Sequence, residues 1–95
     1  MNWIYESLGQ EHQLVFQKSI LARIVISFTK KGKFVAITMI RGIYFSAKTQ
    51  ERLEKEKKEW VAYRKKFKTK SDANEYVKRK KEVVLKFIKS REKEA

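Results

Sequence analysis

Arg23 and Arg41 stand towards the two ends of a β-branched stretch, with Lys30, Lys31 and Lys33 gathered around Gly32 near its middle. Guanidinium and ammonium groups spaced along extended chain hold phosphates well, Arg through a planar fork of donors and Lys as a point charge. Trp3, Tyr5 and Tyr44 add flat rings. Rings beside cations are what single-stranded nucleic acid uses, each stacked base contributing about 1–3 kcal/mol. A second basic run, Arg64, Lys65, Lys66, Lys68 and Lys70 followed by Lys78, Arg79, Lys80 and Lys81, suits phosphate contact rather than base reading. The rings have a competing use in packing. Trp60, Phe67 and Phe87 fall at helical spacing and read as core, whereas Trp3 and Tyr5 suit either role.

Catalytic chemistry is poorly supplied. His12 is the sole histidine and cysteine is absent, which removes thiolate nucleophiles, disulfides and soft metal sites. No HExxH, Walker loop, dinucleotide glycine pattern or G-x-S-x-G occurs, and Gly9, Gly32 and Gly42 form no phosphate-cradling loop. Glu51, Glu54 and Glu59 alternate with lysines in the manner of surface ion pairs. Glu6 and Glu11 are the only carboxylates of the N-terminal half, too few for a metal-dependent nuclease. The expectation is a binding protein without enzyme activity, metal or cofactor.

The formal net charge of +13, from 24 Lys and Arg against 11 Asp and Glu, repels the chain from itself unless a polyanion relieves it. Hydrophobic residues at 42% are enough apolar material for one folded domain spanning residues 1–95. No run approaches the roughly 18 apolar residues of a membrane span, and Met1 to Leu8 lacks a basic start followed by an apolar stretch. The helices also lack the split between a Trp/Leu face and a Lys face that a membrane surface selects. A cytoplasmic location with no membrane partner is expected. Asp72 is the sole aspartate, Asn occurs only at Asn2 and Asn74, and Lys and Glu crowd the second half, a bias shared with proteins of heat-loving organisms.

The elements that must position these groups can be read from periodicity. Ile20 to Thr29 and Lys33 to Ser46 flank the turn signal Lys30-Lys31-Gly32 and form a hairpin. With Gly32 left-handed, a three-residue loop pairs Thr29 with Lys33 and sets Phe28 opposite Phe34, Ile26 opposite Ala36, Ile24 opposite Thr38 and Ala22 opposite Ile40. Alternation then puts Leu21, Arg23, Val25, Ser27, Thr29, Lys33, Val35, Ile37, Met39 and Arg41 on the other face. Leu14 to Gln17 adds an outer strand, and Ile43 to Phe45 a further one after a bend at Arg41-Gly42.

Ser46 caps a helix from about Ala47 to Phe67, on which Leu53, Trp60 and Phe67 recur every seven residues. A second helix begins after Ser71, with Asp72 at its positive end, and runs to about Glu92. Its stripe is Ala73, Tyr76, Val77, Val84, Phe87 and Ile88, with Val83 and Leu85 lying off it, and Lys68-Thr69-Lys70 joins the helices. The expected fold class is α+β, with about four antiparallel strands in residues 1–46 followed by two long helices in residues 47–95. Two apolar stripes and a sheet with two partly apolar faces exceed what two layers can bury, which predicts a homo-oligomer, a dimer or tetramer.

Strands from Leu14 to Phe45 leading into a long Lys/Glu helix resemble the archaeal ThermoDBP and ThermoDBP-related single-stranded DNA-binding proteins over most of the chain. Arg41-Gly42-Ile43-Tyr44-Phe45, a basic residue, a glycine and an apolar strand ahead of a helix, is similar to a segment of the positive-cofactor single-strand binders. That second likeness covers about half the chain, since those proteins end near their first helix and this one adds a second. Both resemblances imply oligomers with sequence-tolerant binding of single strands. The expected ligand is single-stranded DNA or RNA; neither resemblance assigns binding residues, and the charge and rings alone nominate Arg23, Lys30, Lys31, Lys33, Arg41, Tyr44, Trp3 and Tyr5, with Arg64, Lys65, Lys66, Lys68, Lys78 and Arg79 as a second basic patch. The alternative is a protein-interaction or assembly module whose surfaces serve only oligomerisation.

Overall fold

Alternating β-branched and aromatic residues build five segments of the chain into one sheet. The computed structural model describes residues 1–7 and 10–93, without the side chain of residue 93. Its strands are β1 (Asn2–Glu6), β2 (Glu11–Phe16), β3 (Ser19–Phe28), β4 (Phe34–Arg41) and β5 (Trp60–Phe67). They lie side by side in chain order, every neighbouring pair antiparallel. Helix α1 (Ala47–Lys55) interrupts the meander between β4 and β5, and α2 (Lys70–Lys93) follows it.

The β3–β4 hairpin has the expected register, from Phe28 opposite Phe34 to Ala22 opposite Ile40. Gly32 takes φ +77°, and the Thr29 amide donates to the Lys33 carbonyl at 2.7 Å. Leu21 departs from the alternation. The β2–β3 register shifts between Leu14 and Val15, and this bulge turns Leu21 into the cluster beneath α2 with Leu14, Ala22 and Ile40. The β2–β3 turn is closed by Gln17 and Lys18, both at positive φ, where a two-residue hairpin turn usually employs Asn and Gly.

The C-terminal half corrects the sequence reading most. The helix expected to reach Phe67 stops at Lys55, the sheet has five strands rather than four, and residues 47–95 are not a helical portion because β5 lies within them. Ser46 caps α1 as expected, accepting from the Thr49 amide. The helix ends because Lys57 adopts φ +57°, which lets the Lys58 amide reach the Leu53 carbonyl at 2.9 Å and the Lys57 amide the Glu54 carbonyl at 3.1 Å, the pair of bonds that closes a Schellman cap. A glycine would take that conformation without strain. Lys57→Gly is expected to stabilise the fold by about 1 kcal/mol, a rise of about 4–8 °C in Tm for a domain of this size; a thermal melt checks it.

Released from the helix, Trp60–Phe67 pairs along the whole of β4, from Arg41 opposite Trp60 to Phe34 opposite Phe67. Ile43 to Phe45 forms no further strand; Gly42–Tyr44 is a single 3-10 turn. Its glycine is required by packing. A Cβ at Gly42 would run into the Leu53 side chain, the buried residue of α1. Helix α2 starts slightly before the expected Ser71, capped by Thr69, whose hydroxyl accepts from the Asp72 amide at 3.2 Å.

The main core lies between α2 and one face of the sheet; Val35 is buried on the opposite face and Leu53 of α1 against Gly42. Ala73, Val77, Val84 and Ile88 are buried, with Tyr76 and Phe87 half-buried on the same stripe. They meet Leu14, Ala22, Ile24, Ala36 and Ile40 from the strands. The Trp3 indole N–H donates to the Lys81 carbonyl at 3.2 Å, tying β1 to α2. No helix is long and apolar enough to cross a membrane among the described residues.

Candidate nucleic-acid interface

Because α2 covers one face, strand alternation leaves the opposite face of the sheet uncovered. Arg23 on β3, Met39 and Arg41 on β4, and Trp60, Ala62, Arg64 and Lys66 on β5 all point to it, by register with the helix-facing Ala22, Ile40 and Val61. Trp60 is half-buried there. The Arg41 guanidinium lies 4.6 Å from the centre of its ring and that of Arg23 lies 5.9 Å away, within the range where a cation is drawn to an aromatic face.

Both arginines are held in place. Arg41 Nε donates to the Ile20 carbonyl at 2.6 Å, and its Nη1 stands 3.8 Å from the Glu59 carboxylate. Arg23 donates through Nε at 2.8 Å and pairs through Nη2 at 2.6 Å with Glu11, which is buried and accepts a further bond from Gln13. The cations continue along the face. Arg64 lies opposite Ile37 and Lys66 opposite Val35, and beyond them the hairpin tip carries Lys30, Lys31 and Lys33. The track from Arg41 to the tip follows β4 for its full length, about 23 Å at the usual strand rise. Glu6 and Glu11 lie on the far side of the same face, on β1 and β2.

Glu11 engages Arg23 beside the Trp60 end of this track. Burial alone would raise its pKa, but the hydrogen bonds from Arg23 and Gln13 and the charge of Arg23 outweigh it, so the carboxyl titrates below its ordinary value. The stabilisation this provides is complete above the ordinary carboxylate pKa and is lost as pH falls through the lowered one. A phosphate arriving at Arg23 must compete with Glu11. Glu11→Gln is expected to destabilise the fold by about 1–2 kcal/mol, a discounted value because Arg23 keeps about a third of its side chain in solvent. The same substitution should tighten oligonucleotide binding by roughly 3- to 10-fold, since it frees a charged donor. Paired melting and fluorescence anisotropy measurements check both; weaker binding would mean that Glu11 aims Arg23 rather than restraining it.

The structure brings together some of the expected site residues and separates others. Arg23 and Arg41 share the uncovered face, with Lys30, Lys31 and Lys33 at its far end. Trp3 does not, because its ring packs under α2. Tyr5 points to the α2 side too, against His12 at 4.9 Å. Tyr44 sits in the 3-10 turn, packed on the core; burial pushes its phenol pKa up, the Glu92 carboxylate adds to this, and Arg41 opposes it.

The second basic patch is not one surface. Arg64 and Lys66 face away from α2 and Lys65 towards it, Lys68 lies in the link after β5, and Lys78 and Arg79 stand on the exposed side of α2. Trp60, read as a core residue of a helix, is the aromatic centre of the open face. Its signal in the sequence was the period-two pattern of Trp60, Ala62, Arg64 and Lys66 against Val61, Tyr63 and Phe67.

No cluster of histidine or acidic residues able to hold a metal occurs among the described residues. Comparison with protein-family models, with curated proteins and with solved structures finds no match to this chain.

Proposed function

We propose that this protein binds single-stranded nucleic acid, DNA or RNA, without reading its sequence, along the uncovered face of the sheet. The observation that carries this reading is the Trp60 ring flanked by the Arg23 and Arg41 guanidiniums at the head of a row of cations. Bases stack on aromatic rings and on arginine planes alike, and the cations beside them neutralise phosphates.

Salt dependence tests the proposal. If Arg23, Arg41, Arg64 and Lys66 each meet a phosphate, affinity for a fluorescein-labelled oligothymidylate should fall roughly fifty-fold between 50 and 200 mM salt, following a log–log slope of about −3. Arg41→Ala should make the slope shallower by about 0.7. Absence of binding at 50 mM salt would sink the reading and leave the assembly module.

The same face bears on the proposed homo-oligomer. Ile4, Val25, Ile37 and Met39 offer apolar area there, but a second copy laid on it would bring two sets of Arg23, Arg41, Arg64 and Lys66 into one interface. In this reading a dimer or tetramer forms on a polyanion that neutralises those charges. Sedimentation with and without oligothymidylate checks this, and a stable dimer without ligand would favour the assembly role.

A further inference from the structure

β5 is the outermost strand, so its side chains alternate across an edge that no neighbour closes. Val61 and Phe67, near its ends, pack towards α2, whereas Tyr63 between them remains 47% exposed. There the helix and the edge diverge and leave a cleft of about 160 Å³, lined by Ile40, Phe45, Tyr63, Lys80, Val83 and Phe87. Its walls are apolar and aromatic, and none of its lining residues is acidic. Lys80 stands at 5.8 Å from the Tyr63 ring and 5.9 Å from that of Tyr76. Val83, off the buried stripe of α2, is 56% exposed at the rim. On the opposite face of the same edge, Ala62 leaves a gap in the row between Trp60 and Arg64.

The geometry points to a second base-binding site in this cleft, occupied by a nucleotide whose backbone lies on the β5 cations and whose base reaches over the edge beside Ala62. This inference rests on the proposed binding of single strands to the open face. A flat heteroaromatic ring carrying a phosphate fits the chemistry. The ring meets Tyr63, Val83 and Phe87, and its phosphate stays within reach of Lys80 on one side and Arg64 on the other. Such a site selects single strands, because a base inside a duplex must be unpaired and unstacked before it can leave the helix.

The test uses the full chain and fluorescein-labelled oligothymidylate. Tyr63→Ala should weaken binding on the order of tenfold, the effect of removing one stacking partner, with the salt slope unchanged because no charge is lost. Tyr63→Phe should retain wild-type affinity. Val83→Glu, which blocks the rim from the helix side at an exposed position, should reproduce the loss with melting unaltered. Photocrosslinking of a 4-thiothymidine oligonucleotide should label peptides containing Tyr63 or Phe87. If Trp60→Ala weakens binding while Tyr63→Ala and Val83→Glu leave it unchanged, the cleft site is overturned and the open-face reading stands. If the wild-type protein binds no oligothymidylate at low salt, both fall. Equal affinity for duplex and single strand would also overturn the cleft site.

Discussion

Trp60→Ala is expected to weaken oligonucleotide binding by about 10- to 100-fold, the loss of a stacking platform worth about 1–3 kcal/mol with some disordering of its partners. The ring lies outside the layer between sheet and α2, so the melting temperature should move by only a few degrees. Arg41 would lose the surface that now lies 4.6 Å from its guanidinium, and part of the effect should therefore appear as a shallower salt dependence. Trp60→Phe should recover most of the affinity. The informative contrast is Trp3→Ala. Its indole bonds to the Lys81 carbonyl beneath α2, so it should lower stability and leave affinity for the folded protein alone. Anisotropy titrations and thermal melts of the two variants separate the roles, and the reverse pattern would place the binding surface on the wrong side of the sheet.

Leu14→Ala is expected to cost about 2–5 kcal/mol, a large share of the roughly 5–14 kcal/mol that a chain of this length has in total. Leu14 is fully buried on β2, between Trp3 on β1 and Ala22 on β3. The neighbouring alanine has no side-chain reach with which to fill the space left behind. Val83→Ala, at an exposed position of α2, should change stability by less than about 0.5 kcal/mol. Urea unfolding of both measures the difference. A small loss for Leu14→Ala would mean that the β2 and α2 layers do not meet as described.

What the sequence disclosed, and what it concealed, follow from where local and global signals agree. Gly32 supplied the left-handed residue its loop needs, so the β3–β4 register was legible to the residue. The stripe of α2 was legible because Ala73, Val77, Val84 and Ile88 repeat at helical spacing and all are buried. The end of α1 was hidden because a lysine, Lys57, occupies the conformation that usually announces itself as glycine. Leu53, Trp60 and Phe67 then imitated a helical seam by coincidence of spacing. Leu21 was assigned to the wrong face, since a bulge leaves no mark in residue type.

The candidate site was half legible. Arg23 and Arg41 were placed on their shared face by alternation alone. Their aromatic companion was missed because its strand was read as helix, so Trp60 was assigned to packing and Trp3, Tyr5 and Tyr44 took its place.

The bond from Trp3 to Lys81 joins the first strand to the last helix, and with it comes a burden during synthesis. The strands emerge in the order in which they pair and can zip together early, but the helix that roofs their greasy side follows all five. Until that helix leaves the ribosome, the nascent sheet carries an unshielded hydrophobic surface. A chain stalled before that point should bind chaperones that the finished protein ignores.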